Sequence, residues 1–294
     1  MIRIGTCSWT EKTLIKSGEF YPNTVRTAEG RLKYYSQYFD TVEVDSTYYA
    51  IPDKRTVFLW TKRTPENFIF HVKVYGAMTG HSIDPKTLPK NIFDTLSEKD
   101  KSERFIFLKD KTILKNIFET FKDNILLLKK NNKLGLLIFQ YPPWFHYNTH
   151  NLDYILECKE SLNTLQIAVE FRHGSWLTEK ASKTVFKFLR ENEITYIIAD
   201  EPQYDSFATI PFIPEITTNI AYFRFHGRNK ENWLKKGIET SLRYSYLYSD
   251  EELKDFIPHI KSCEEKTKMT FAMFNNCHGG FAIRNALRLK DMMN

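Results

Sequence analysis

Cysteine is scarce in this chain of 294 residues. Its four cysteines, Cys7, Cys158, Cys263 and Cys277, stand far apart with no CxxC pair. That spacing offers neither a disulfide framework nor a zinc knuckle. HxH and HExxH runs are also missing, so no cofactor is expected and a divalent metal is disfavoured. No apolar run approaches the roughly 20 residues that a membrane span needs. The opening residues Ile2-Arg3-Ile4-Gly5 read as a strand, not a signal peptide. A cytoplasmic protein with no membrane partner is expected. Neither charge sign dominates: 42 basic residues against 36 acidic ones leave a formal charge of +6. This mild excess permits an anionic partner without demanding one. Beyond one recurring strand–helix unit there is no internal repeat, low-complexity linker or domain boundary, so residues 1–294 read as a single domain.

What is present is a large apolar fraction, 42%, ample for one sizeable α/β core. Aromatics reach 15%, so some must lie at the surface or line a pocket. Residues 165–176, LQIAVEFRHGSW, show the recurring unit best. An apolar run rich in branched residues carries Glu170, Arg172 and His173 at its downstream end, and Gly174 breaks it. A strand that is apolar at its start and charged at its exit fits a parallel barrel, whose strand carboxyl ends open into the binding face.

Eight such strands can be read along the chain, at residues 2–8, 41–45, 68–74, 134–140, 165–169, 195–200, 221–226 and 270–275. Helical periodicity falls between most of them, at residues 31–39, 54–62, 113–128, 151–161, 178–192, 250–266 and 282–292. Asp250 is the expected N-cap of the sixth, with Glu251 and Glu252 in its first turn. Residues 76–133 are too long for one crossover and predict a helical excursion between strands 3 and 4. Residues 201–219 are proline-rich and predict an irregular crossover between strands 6 and 7. The reading is an α/β chain folded as a single (β/α)8 TIM barrel.

Alternation of side chains along each strand places charges together. Glu43 with Asp45, His71 with Lys73, Glu170 with Arg172, and Arg224 with His226 each share a face, while Val44, Val72, Val169, Phe171, Phe223 and Phe225 take the other. The apolar set suits the helical layer, which puts the charged set inside. Gln140, Asp200 and Asn275 end their own strands. Buried ionisable groups must pair with one another or with a ligand, so the alternatives are an internal salt-bridge network and a ligand site. As a site, Lys73, Arg172 and Arg224 suit a phosphate or carboxylate, and Lys73, Glu170, Arg172, Asp200 and Arg224 are expected in one pocket. Glu170 with Asp200 forms the best carboxylate pair for acid–base work, and Glu43 with Asp45 a second. A Glu and an Asp with His226 could hold a divalent metal, but strand 8 ends in Asn275-Asn276 and not in a carboxylate. Cys7 has no local base and reads as a structural cysteine. His226 reads equally as a ligand-contacting residue or a core histidine.

Residues 227–249 interleave Arg228, Lys230, Lys235, Lys236 and Arg243 with Trp233, Tyr244, Tyr246 and Tyr248. These are ingredients of single-strand nucleic-acid binding, and equally of a surface lid packed on the barrel rim.

Taken together, Gly5-Thr6-Cys7-Ser8-Trp9, Phe20-Tyr21-Pro22, residues 41–49 (TVEVDSTYY) with Pro52, residues 70–73, Gln140 with Pro142-Pro143, residues 169–173 with Ser175-Trp176, Ala199-Asp200 with Pro202, residues 223–227, Tyr246 with Tyr248-Ser249, and Asn275-Asn276 with Gly279 resemble the YecE-like family of TIM barrels, a domain of unknown function. These motifs run in order over almost the whole chain. Cys7-Ser8 stands where the family usually has Ser-Gly, and Asp45 where Asn is common. The resemblance implies the barrel fold and leaves the reaction open; likeness to endonuclease IV and sugar-isomerase barrels is one of shape. The leading expectation is an enzyme of hydrolase, lyase or isomerase type acting on a small phosphorylated or carboxylated substrate. Its catalytic candidates are Glu43, Glu170 and Asp200; its binding candidates are Asp45, Lys73, Gln140, Arg172, His173, Arg224, His226, Trp233, Tyr246, Asn275 and Asn276. A nucleic-acid binding or processing protein using the same cleft is the first alternative, and a non-catalytic ligand sensor or partner protein the second.

Overall fold

A computed structural model of the chain describes residues 1–293. Eight strands, β1 (Ile2–Thr6), β2 (Thr41–Val44), β3 (Ile69–Lys73), β4 (Leu134–Gln140), β5 (Ile167–Glu170), β6 (Thr195–Asp200), β7 (Ile220–Phe225) and β8 (Met269–Phe274), pair in parallel in chain order. β8 pairs with β1, from Ile2 with Thr270 to Thr6 with Phe274, and closes the barrel. Helices at Ala28–Tyr38, Lys54–Lys62, Lys111–Lys130, Thr149–Leu162, Glu179–Glu191, Asp250–Lys266 and Phe281–Met293 surround it. Between β3 and β4, short helical turns from Gly76 to Ser102 precede the Lys111–Lys130 helix; between β6 and β7 no helix intervenes among the described residues. None of the helices is long and apolar enough to cross a membrane.

Two apolar layers flank the strands, as the alternation requires. Outside, Val44, Val72, Val169, Phe171, Phe223 and Phe225 pack into the sheet–helix core. Inside, Cys7, Leu136, Ile138, Ala168, Ile197, Tyr222, Phe271 and Met273 fill the barrel axis. Burial of each such side chain contributes about 1.5–3 kcal/mol, so the interior is a packed plug that supports whatever sits above it. Two glycines make room for the closure. A Cβ on Gly5 would stand 2.5 Å from the Thr41 carbonyl oxygen, and one on Gly135 would stand 2.6 Å from the His71 ring. His71 enters that space, and its Nδ1 accepts the Leu136 N–H at 3.0 Å. The β3–β4 register shifts between Phe70 and Val72, where this side-chain bond replaces a ladder bond. Burial holds the His71 ring at about 3, so it is a neutral core group.

The helix at Asp250–Lys266 corrects one expectation. Its N-cap is Ser249, not Asp250: Ser249 Oγ accepts from the Glu252 N–H at 3.3 Å, and the Glu252 carboxylate accepts from the Ser249 N–H at 2.9 Å. This reciprocal box satisfies two donors at once, whereas Asp250 inside the first turn binds Arg288.

Candidate functional site

Above the apolar plug, the carboxyl ends of β2, β5 and β7 meet in a fully buried ion cluster. Arg224 reaches across the barrel axis. Its Nη2 donates to Glu43 Oε1 at 2.8 Å, and its Nη1 donates to Glu170 Oε2 at 2.5 Å and to Gln140 Oε1 at 3.1 Å. Tyr222 Oη donates to the second Glu43 oxygen at 2.8 Å. Burial drives Glu43 up, against the pull of Arg224. Burial also opposes the charge on Glu170, but Arg224 and Arg172 together hold it well below the usual carboxylate range.

Arg172 forms the next tier toward solvent. Its Nη1 donates to Glu201 Oε2 at 2.8 Å and stands 3.2 Å from Glu170 Oε1, which accepts no well-aligned hydrogen bond. The other Glu201 oxygen accepts the Ile210 N–H at 2.8 Å. Burial outweighs both partners and lifts Glu201 to about 7, with Glu170 and Asp200 adding to the rise. His226 stands 3.2 Å from Glu170 Oε2 through Nε2 and 2.8 Å from the Asn275 amide through Nδ1. Burial holds it at about 3 despite Glu170. The neutral ring with its proton on Nε2 satisfies both neighbours. On the other side, Lys73 pairs with Asp45 at 2.8 Å. Burial works against the Lys73 charge, yet Asp45 holds it above the usual lysine range.

The segment after β7 closes this end. Tyr244 Oη accepts from Arg172 Nη2 at 3.0 Å, and Trp233 lies under the same guanidinium, 5.1 Å from centroid to carbon. A cleft of about 500 Å³ opens elsewhere, at the amino ends of the first three strands, lined by Arg3, Asp40 and Asn67. It is chemically spent, since Arg3 is tied to the carbonyls of Asp40 and Asn67. In barrels that end supports stability, and chemistry belongs at the other.

The structure therefore brings together Glu43, Asp45, Lys73, Gln140, Glu170, Arg172, Arg224, His226, Trp233 and Asn275. It turns Asp200 away. Asp200 shares strand phase with Tyr196 and Ile198, which pack in the sheet–helix core, while Ile197 faces the barrel axis. Its carboxylate binds Arg228 at 2.8 Å and accepts from Tyr248 Oη at 2.6 Å. The carboxylate that faces Arg172 is Glu201, one residue on. The run Tyr196–Ala199 is apolar on both faces, so only the inward face of Ile197 in the structure gives position 201 its phase. Three further candidates hold structure around the site. His173 accepts or donates at Ser175 and stacks on His146, 3.9 Å between centroids. Tyr246 donates to Glu252 at 2.7 Å. Asn276 donates to the Tyr246 carbonyl and to Asn285. Among the described residues, no group of three or more His, Cys, Asp and Glu side chains is placed to hold a metal ion.

Fold and site together define a (β/α)8 barrel protein with a buried carboxylate–guanidinium cluster at its carboxyl-terminal face. The chain belongs to the DUF72 family of proteins of unknown function, whose sequence pattern matches residues 3–294. It is 31% identical to the UPF0759 protein YunF of Bacillus subtilis, over 100% of this chain and 95% of that protein. Among solved structures, a DUF72 family protein from Thermotoga maritima is 33% identical and superposes with a TM-score of 0.79, covering 100% of this chain and 99% of that one. One from Enterococcus faecalis is 28% identical, with a TM-score of 0.81 over 100% and 96% of the two chains.

Proposed function

We propose that the protein is an acid–base enzyme, of hydrolase, lyase or isomerase type, acting on a small phosphorylated or carboxylated substrate at the carboxyl-terminal face of the barrel. The observation that carries this is the pair Glu170 and Glu201 on either side of Arg172 Nη1. Two carboxyls at one nitrogen are pushed in opposite directions, one held ionised by guanidiniums and one lifted to about 7 by burial. Environments that separate a carboxyl pair in this way set up an acid and a base. Glu170 Oε1, buried and without a hydrogen bond, is the base. Glu201 carries the proton.

The anion-binding role falls to Arg172 and Lys73. Arg224 was a candidate from the sequence, but both its terminal nitrogens are already committed to Glu43, Glu170 and Gln140. Arg172 Nη2 donates only to the Tyr244 hydroxyl, which an anionic oxygen replaces at little cost. With Glu201 protonated, Arg172 is paired with Glu170 through Nη1 alone, and its Nη2 is the donor that an incoming anion takes without breaking an ion pair, with Lys73 shared between Asp45 and the anion. Calorimetric titration with inorganic phosphate tests the assignment. Arg172→Ala should weaken binding by about 2–5 kcal/mol; equal affinity in wild type and variant refutes it.

A further inference from the structure

Aromatic rings crowd the mouth of the site well beyond the lid. Phe107 and Trp144 are 58% and 57% exposed, on the segments that follow β3 and β4. Their ring centroids lie 6.5 Å apart. Trp144 meets His81 edge-on at 5.6 Å, and His81 meets Tyr48 at 5.2 Å. Lys73 Nζ stands over the Tyr48 ring, 4.8 Å from its centroid. A continuous file of rings thus runs from open solvent to a cation of the site. His81 belongs to both ends of it: burial first, then the charges of Lys73 and Arg172, bring it down to about 4. It is a flat neutral ring close to both cations.

Large rings left side by side in water mark a contact surface. We infer that Phe107, Trp144, His81 and Tyr48 form a stacking track for a ligand whose flat ring is joined to a phosphate, a nucleotide, with the phosphate held by Lys73 and Arg172. This deepens, and rests on, the anion-binding role proposed for those two residues. Charge and shape decide the class. An aliphatic acid engages the cations and leaves the rings bare. A neutral sugar covers the rings and leaves the cations unanswered. A nucleotide uses both, and every base has a face that stacks. The same chemistry is offered by a free nucleotide and by the phosphorylated end of a single strand, and the two differ in salt dependence.

The test is calorimetric titration of the full chain with inorganic phosphate, with adenosine 5′-monophosphate and with a short 5′-phosphorylated oligothymidylate, across a salt series. The nucleotide should bind at least about tenfold more tightly than phosphate, the gain expected of one stacked base. Trp144→Ala should remove that gain and leave phosphate affinity unchanged; Phe107→Ala, equally exposed, serves as the second variant. An oligonucleotide that binds more tightly still and with a steeper salt slope identifies a strand end, and one that binds no better identifies the free nucleotide. If phosphate binds but the nucleotide gains nothing, or if both variants keep the gain, the stacking track is overturned and the anion-binding reading stands. If neither ligand binds, both fall.

Discussion

Arg224 is wholly buried, and so are the two carboxylates it joins. Replacing it by methionine keeps much of the volume and removes the cation between Glu43 and Glu170, at 2.8 and 2.5 Å. Breaking a buried ion pair from one side leaves an uncompensated charge, which costs about 3–5 kcal/mol, a large share of a net stability of about 5–15 kcal/mol. The loss should depend on pH with a definite sign. Without the guanidinium, the folded-state pKa of Glu170 rises above the unfolded value of about 4.3, and that of Glu43, already raised by burial, rises further. The folded variant then holds protons that the unfolded chain has released, so its deficit is small near pH 4 and grows as pH rises toward 7. Urea denaturation of wild type and Arg224→Met at pH 5 and 7, followed by circular dichroism, measures this. Adding Glu43→Gln and Glu170→Gln should recover at least half the loss, because both retain acceptors for Tyr222 and His226 while the stranded charges go. A loss below about 1 kcal/mol at pH 7, or an equal loss at both pH values, would refute the cluster as an interdependent unit.

In the wild type, Glu201 already carries the linkage that Arg224→Met would give Glu43 and Glu170. Its folded value of about 7 lies above the unfolded one, so its contribution is complete at low pH and declines as pH rises toward 7, by about 1.4 kcal/mol per unit. Glu201→Gln should flatten that slope in denaturation curves from pH 5 to 8, and parallel curves for the two proteins would contradict it. Ser249→Ala removes the cap of the Asp250–Lys266 helix and should cost about 1 kcal/mol, read as a lowered unfolding temperature. Gly5→Ala forces a methyl against the Thr41 carbonyl oxygen, a backbone atom 2.5 Å from the Cβ position. A loss of about 1–3 kcal/mol is expected in the same assay, and a neutral effect would mean that β1 and β2 separate more easily than their packing implies.

Where the fold was legible, one physical signal dominated locally. β4 and β6 fall on the residues read from the sequence because each is an unbroken apolar run ended by a polar residue. The Lys54–Lys62 helix also matches, bounded by Asp53, whose side chain caps it, and by Pro65. Strand ends elsewhere moved by a residue or two, since the last pairing depends on a partner strand that the local sequence does not contain. Asp45 is the clearest case. It looks like the end of an alternating strand, yet it opens a helical turn at Asp45–Tyr48, and that turn delivers it to Lys73. The short turns between β3 and β4 carried no legible period, and they deliver His81 and Phe107 to the mouth.

The carboxylates show how far alternation reaches and where it must be followed without a break. Glu43, Glu170 and Arg224 read as inward because each is phased against large apolar neighbours on the same strand, and each lies in the cluster. Asp200 has only its position at a strand end to place it. Counting from Ile197, which faces the barrel axis, position 200 has the outward phase and position 201 the inward one. Asp200 accordingly serves the lid through Arg228 and Tyr248, and Glu201 serves Arg172. One residue along the chain moves a carboxylate from the rim to the centre, because successive side chains leave a strand on opposite faces. The two carboxyls also differ in kind: four hydrogen bonds from Arg228 and Tyr248 suit Asp200 to an ionised anchor, whereas Glu201 has one guanidinium bond and one backbone bond. The better-solvated group makes the stronger tie, and the poorer-solvated one is left able to exchange a proton near neutral pH. The segment after β7 is thus fastened by one carboxylate, while the neighbouring one binds Arg172 beneath it.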